Sequence, residues 1–158
     1  MISDELYQKA RKLESDKELL EANRLYKKVY ALNPNENGLL LRIAINYLME
    51  NKERKFIEYA LKYMDVPKSK RQLNDNDTMW TLYHHLGVAF GILGENENAF
   101  KYFKEAITYQ ANSQTLAFTG QICNDLGYEK EAISFWRTAA KMGNGNAILA
   151  LNTRGIDI

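Results

Sequence analysis

Small residues recur in this chain at a fixed interval, and that interval restricts the folds open to it. Gly87 and Gly120 lie 33 residues apart, and the same offset separates Gly94 from Gly127, Ala99 from Ala132 and Ala106 from Ala139. Large residues keep step, with Phe103 answering to Trp136 and Phe90 to Cys123. A period of this size marks a repeated supersecondary unit that buries its apolar face only by stacking on its neighbours. No stretch alternates with a two-residue period, so no strands are expected. Only two prolines occur, Pro34 and Pro67, and the chain is rich in Leu, Ala, Lys and Glu, all good helix formers.

Written out, the copies share a pattern. The clearest reads Tyr83-x2-Leu86-Gly87-x2-Phe90, then Ala99-x3-Phe103. A second reads Leu116-x2-Thr119-Gly120-x2-Cys123, then Ala132-x3-Trp136. An earlier one reads Leu6-x2-Lys9-Ala10-x2-Leu13, then Ala22-x3-Tyr26, and ends at Pro34. Between them Leu40-x2-Ile43-Ala44-x2-Tyr47 is followed by Phe56-x3-Ala60, with large and small residues exchanged. Ala10 to Ala44 is 34 residues, whereas Ala44 to Gly87 is 43, so extra residues separate the second and third copies. These segments resemble the tetratricopeptide repeat, W-x2-L-G-x2-Y…A-x3-F.

The resemblance covers nearly the whole chain and implies an all-α fold. The expected form is an α-α superhelix of four helix-turn-helix repeats plus a short C-terminal capping helix. As one domain, 1–158, it divides into repeats near 3–34, 37–66, 77–111 and 113–143, a cap at 145–152 and a loop insertion at 67–77. Helices are expected near 3–15, 18–32, 37–50, 53–65, 77–93, 96–110, 113–126 and 129–142. Ser3 and Ser113 are the expected N-caps. Asn33-Pro34, Gly94 and Gly127 mark turns. The small residues have a steric purpose: paired helices approach closely only where side chains are small, and large residues fill the grooves alongside.

Composition removes several function classes. The net charge is +1, which gives no global attraction for nucleic acid or an acidic membrane surface. Up to Arg71 there are 15 Lys and Arg against 11 Asp and Glu, and beyond it 6 against 9, a mild charge gradient. No apolar run approaches a membrane span and no leader is read at the N-terminus, so a soluble cytoplasmic protein is expected. One cysteine, Cys123, permits neither an internal disulfide nor a thiolate metal site. No cofactor or metal is expected.

The family resemblance also implies where a ligand would sit, on the first helix of each pair, at positions three before the small residue and one, four and five after it. Those positions are Tyr7, Arg11, Glu14 and Ser15 in the first copy, and Leu41, Ile45, Leu48 and Met49 in the second. The third supplies His84, Val88, Gly91 and Ile92, and the fourth Ala117, Gln121, Asn124 and Asp125. The expected groove is apolar at its middle (Leu41, Ile45, Leu48, Met49, Val88, Ile92) and polar at its ends, which suits a peptide or amphipathic helix. Three occupants stay open: a partner segment, the chain's own C-terminal segment or a second copy, and irregular packing that buries these side chains. Polar rings that grip a C-terminal carboxylate are not expected, since only Arg11 is of the right type.

His84 and His85 are adjacent, point about 100° apart on a helix and cannot chelate one metal. Cys123 takes a packing slot with no base beside it, which argues against catalysis. Basic residues gather between Lys52 and Arg71, but Glu50, Glu53, Glu58 and Asp65 interleave with them, as on a solvated helix face. The leading expectation is a non-catalytic scaffold or adaptor. The alternatives are a chaperone-like regulator in bacterial secretion or signalling, and a nucleic-acid-linked regulator using the basic patch 52–71. A short, apolar C-terminal cap also invites homo-oligomer formation.

Overall fold

The computed structural model describes residues 2–158. Among the described residues there are nine α-helices and no strand. They are α1 (Ile2–Ser15), α2 (Leu19–Leu32), α3 (Gly38–Met49), α4 (Glu53–Asp65), α5 (Asn76–Ile92), α6 (Asn96–Tyr109), α7 (Ser113–Asp125), α8 (Glu129–Lys141) and α9 (Gly145–Asn152). Consecutive helices pack as pairs, α1 with α2, α3 with α4, α5 with α6 and α7 with α8, and α9 closes on α8. The chain forms two compact units, one up to Asn74 and one from Asp75 to Ile158. The boundary falls inside the segment, 67–77, that interrupts the repeat.

In the second unit the small residues act as the spacing implies. A Cβ at Gly87 would lie 2.5 Å from the Phe103 ring of α6, and one at Gly120 would lie 2.6 Å from the Trp136 indole of α8. Phe103 and Trp136 are themselves buried, so neither ring can swing into solvent to make room. The glycines therefore set how closely each pair approaches. At the α5–α6 and α7–α8 turns, Gly94 and Gly127 adopt φ of 75° and 81°, the left-handed conformation that ends a helix. The matching turns of the first unit use Lys17 and Asn51, at φ 62° and 53°. A Cβ is strained there, more so for Lys than for Asn.

The first unit is held by an amide pair that the repeat pattern does not reveal. Asn46 Nδ2 donates to Asn23 Oδ1 at 3.0 Å, and Asn23 Nδ2 donates to the Ile43 carbonyl at 3.1 Å. Both side chains are buried, where an unpaired amide would be costly, so the pairing fixes α2 against α3. Nor is the insertion a free loop. It contains a 3-10 turn at Lys68–Lys70 and folds back on its own unit. Asn37 Nδ2 donates to the Lys70 carbonyl, and its Oδ1 accepts from Gln72 N–H. The Tyr63 hydroxyl bonds to both backbone groups of Leu73. Arg71 donates to the carbonyls of Val66 and Met64.

Two expected caps are corrected. Ser3 lies inside α1, which starts at Ile2. Ser113 is the first residue of α7, and the cap is Asn112, whose side chain accepts from Gln114 N–H and Thr115 N–H. Asp75 and Asn144 cap α5 and α9 in the same manner, bonding Thr78 N–H and Ala147 N–H. The residue before the helix is better placed to reach its orphan amides than a residue within it.

His84 is also corrected. It was expected on the open face, yet it is only 4% exposed. It stacks on Trp80, leans on Phe103 and Phe118, and its Nδ1 lies 2.9 Å from Thr115 Oγ1 on α7. Trp80 Nε1 donates to the same oxygen at 3.3 Å, so the Thr115 hydroxyl donates to a neutral His84. Burial, assisted by the neighbouring His85, pulls the His84 pKa down to about 4, and burial lowers that of His85 as well.

Three measurements follow. Gly87→Ala improves helix propensity by about 1 kcal/mol but forces a methyl into a buried ring, and overpacking costs about 1–3 kcal/mol. Net destabilisation in urea unfolding is expected, and a stabilised variant would contradict the steric account. Lys17→Gly relieves left-handed strain at the cost of a looser unfolded chain, and should gain about 0.5 kcal/mol. Equal or lower stability would show that no strain resides at Lys17. For His84 the folded pKa lies below the unfolded one, so its neutral form supports the fold fully above about pH 6.5. That support drains away as the pH falls towards 4. Unfolding free energy should drop across this window, and His84→Gln should flatten the slope. An unchanged slope would mean that His84 is not held neutral.

Candidate functional site

A face that could accept a ligand needs exposed apolar side chains in a depression with polar groups within reach. The second unit has such a face, along α5, α7 and α9. Val88, Gly91 and Ile92 from α5 face Phe118, Gln121, Ile122 and Asp125 from α7 across a pocket of about 270 Å³, floored by Gly87 and Phe103. Phe118 and Gln121 also wall a second pocket, of about 390 Å³. Its other lining includes Gln114 and Ala117 of α7, Trp136 beneath, and Asn146, Leu149, Thr153 and Arg154 around α9. The two pockets thus adjoin across α7.

The apolar walls are open to solvent. Ile92 is 64% exposed, Leu149 62% and Phe118 37%. Phe118 is nevertheless fixed on its inner side, stacked on Phe103 at 6.1 Å and against His84 at 6.0 Å. It stands between the pockets as a rigid ridge. Asp125 accepts a hydrogen bond from Gln121 Nε2 at 2.8 Å. Arg154 donates to the Ala150 carbonyl and to Asn124 Oδ1, and lies over the Trp136 ring at 4.5 Å. The C-terminal segment therefore builds one wall of the second pocket instead of filling it, with Ala147, Leu151 and Ile156 packed into the core beneath.

The first unit holds two separate depressions. Leu41 and Ile45 line one of about 190 Å³ with Glu14, Gly38, Arg42, Asn46 and Leu73. Leu41 is only 5% exposed and forms its floor, a correction to its expected place on the open face. Glu14 there accepts from Arg42 at 2.7 Å and from the Tyr26 hydroxyl at 3.1 Å. Tyr7 lines the other, of about 390 Å³, with Asp4, Gln8, Glu36 and Leu39 among its neighbours. Arg11 is exposed and donates to the Tyr7 hydroxyl at 3.4 Å. Leu48 is half-buried and Met49 exposed, and neither lines these depressions.

Of the expected groove residues, Val88, Ile92 and Gln121 thus meet in one pocket, while Asn124 is half-buried and holds Arg154. Sequence reasoning missed Phe118, Leu149 and Arg154. Phe118 gave a signal: a large apolar residue outside the packing pattern Leu116, Thr119, Gly120, Cys123 has no core slot to fill.

Little else offers chemistry. Burial pushes the Cys123 thiol up to about 11, which disfavours the thiolate. Among the described residues no group of three or more His, Cys, Asp or Glu is placed to hold a metal. Nor is any described helix long and apolar enough to cross a membrane. Within the basic stretch, Lys55 and Lys62 both bond Glu58, which brings its carboxyl down to about 2.

Comparison with known proteins adds a family. Residues 81–113 match the family model of the tetratricopeptide repeat. No curated protein matches in sequence. Two crystal structures of MamA share the fold. One is 20% identical with a TM-score of 0.74, over 93% of this chain and 85% of that one. The other is 19% identical with a TM-score of 0.76, over 98% and 83%. YrrB, described as a TPR protein with an unusual peptide-binding site, is 19% identical with a TM-score of 0.72, over 90% of this chain and 70% of its own. At such identities the likeness is one of fold. Residues 81–113 are thus one copy of the tetratricopeptide repeat, and the chain shares its fold with solved tetratricopeptide-repeat structures.

Proposed function

We propose that the chain is a non-catalytic protein-interaction module that captures a peptide segment of a partner on the α5–α7–α9 face. The observation that carries this reading is the pair of adjoining pockets divided by Phe118, whose apolar walls Ile92 and Leu149 stand in solvent. An exposed apolar surface with polar groups at its rim is stabilised by covering it. The peptide-binding site named for YrrB, a protein of the same fold, supports the reading. The first unit has a smaller depression at Ile45. Engagement of Arg71, Lys55 and Lys62 within the chain favours this over the nucleic-acid alternative.

Panning of displayed peptide libraries on the purified protein tests it. Wild type should enrich binding clones, and Ile92→Glu or Leu149→Glu should lose them by at least about tenfold, the equivalent of about 1.4 kcal/mol. Both residues are exposed, so the melting temperature should not move. Clones that bind these variants as well as wild type would place recognition elsewhere.

A further inference from the structure

Each of the two pockets carries one charged side chain, and the signs are opposite. Arg154 is the charged residue lining the pocket beside α9, and Asp125 the one lining the pocket beside α5. Both are exposed, and neither forms an ion pair among the described residues. Their partners within the chain are neutral: the Ala150 carbonyl and Asn124 Oδ1 for Arg154, and Gln121 Nε2 for Asp125. A neutral partner orients a charge without cancelling it. The face therefore presents a full positive charge on one side of Phe118 and a full negative charge on the other.

Arg154 is held ready for a counter-charge. Its two hydrogen bonds, at 2.8 and 3.1 Å, and the Trp136 ring 4.5 Å away fix the guanidinium before anything binds. Those bonds spend two of the five N–H donors that a guanidinium carries, and three remain. On the other side, Gln121 bonds Oδ1 of Asp125 and leaves Oδ2 without a partner. A side chain already fixed loses less freedom on binding than a mobile one. The walls sharpen both fields, since Ile92, Phe118 and Leu149 stand where polarisable water would otherwise surround the charges.

Opposite charges on the two flanks also set a direction. A segment whose acidic side chain lies towards α9 and whose basic side chain lies towards α5 gains two attractions. The same segment reversed meets two repulsions, and a neutral segment gains nothing from either charge. From this arrangement we infer that the occupant is a peptide segment of mixed charge. It sets an Asp or Glu side chain against Arg154, a Lys or Arg against Asp125, and an apolar residue between them over Phe118. Asp125 and Arg154 are then the residues that choose the ligand and its direction. This rests on the proposed function and specifies its ligand.

The test pans a random linear peptide library on the intact protein and then measures the affinity of the synthetic consensus peptide, amidated at its C-terminus. The wild-type consensus should hold one acidic and one basic residue in a fixed order. Asp125→Lys should weaken this peptide by about tenfold, and changing its basic residue to Glu should restore most of the loss. Arg154→Glu should respond in the same way to reversal of the acidic residue. Arg154 also links α9 to Asn124 of α7, so the melting temperature of that variant is compared with wild type. Asp125→Lys, at an exposed residue, carries the test by itself if Arg154→Glu unfolds. Raising the salt from about 50 to 500 mM should weaken wild-type binding several-fold. An uncharged consensus, a peptide that needs its free C-terminal carboxylate, or binding indifferent to the charge reversals would overturn the mixed-charge inference. If those clones still fail on Ile92→Glu, the groove itself stands. Absence of any clone sensitive to Ile92→Glu would overturn both.

Discussion

The close approach of paired helices at a residue without a side chain is the constraint on which the second unit rests. At Gly87 and Gly120 the partner ring sits where a Cβ would be, so Phe103 and Trp136 reach the backbone of the facing helix. Ring-to-backbone contact at this range makes the pair rigid, because a packed interior leaves little freedom for small adjustments. The α5–α7–α9 face inherits that rigidity. Phe103 floors one pocket and Trp136 the other, so the side chains that set the helix spacing also form the base of both pockets.

The first unit solves the same problem with different chemistry. No glycine stands at Ala10 or Ala44, both of which are fully buried. Precision comes instead from hydrogen bonds: the Asn23–Asn46 amide pair, and the return of residues 67–74 onto Asn37 and Tyr63. Leu73 comes back beside Leu41 and Ile45, which leaves only a small depression there. The divergent second copy, with Phe56 and Ala60 exchanged, thus belongs to a unit braced by polar contacts. The more regular copies carry the open face.

The helix pairs were legible because the spacing of small and large residues is a local, repeated signal. What escaped depended on particular partners far along the chain. His84 falls at an outward position of the repeat, yet Thr115, 31 residues later, supplies a hydroxyl that draws it inward. Leu41 was expected in the open, but residues 72–73 return over α3. Val88, Ile92 and Gln121 line one pocket, at the outward positions that the repeat register implies. Phe118 and Leu149 were missed because one lies a residue off that register and the other belongs to a short helix read only as a cover. A repeat pattern thus reports the scaffold well, and reports which side chains face outward only where no single contact overrides the register.

The central claim is that the α5–α7–α9 face of the second unit receives a peptide. Methyl-resolved NMR titration of the labelled protein with a peptide enriched by panning tests this most directly. The account predicts saturable shifts at the methyls of Val88, Ile92 and Leu149, lining residues of the two pockets, while Leu25 and Ile43 in the core of the first unit stay in place. Shifts centred on the first unit, with Ile92 and Leu149 unmoved at saturation, would contradict it.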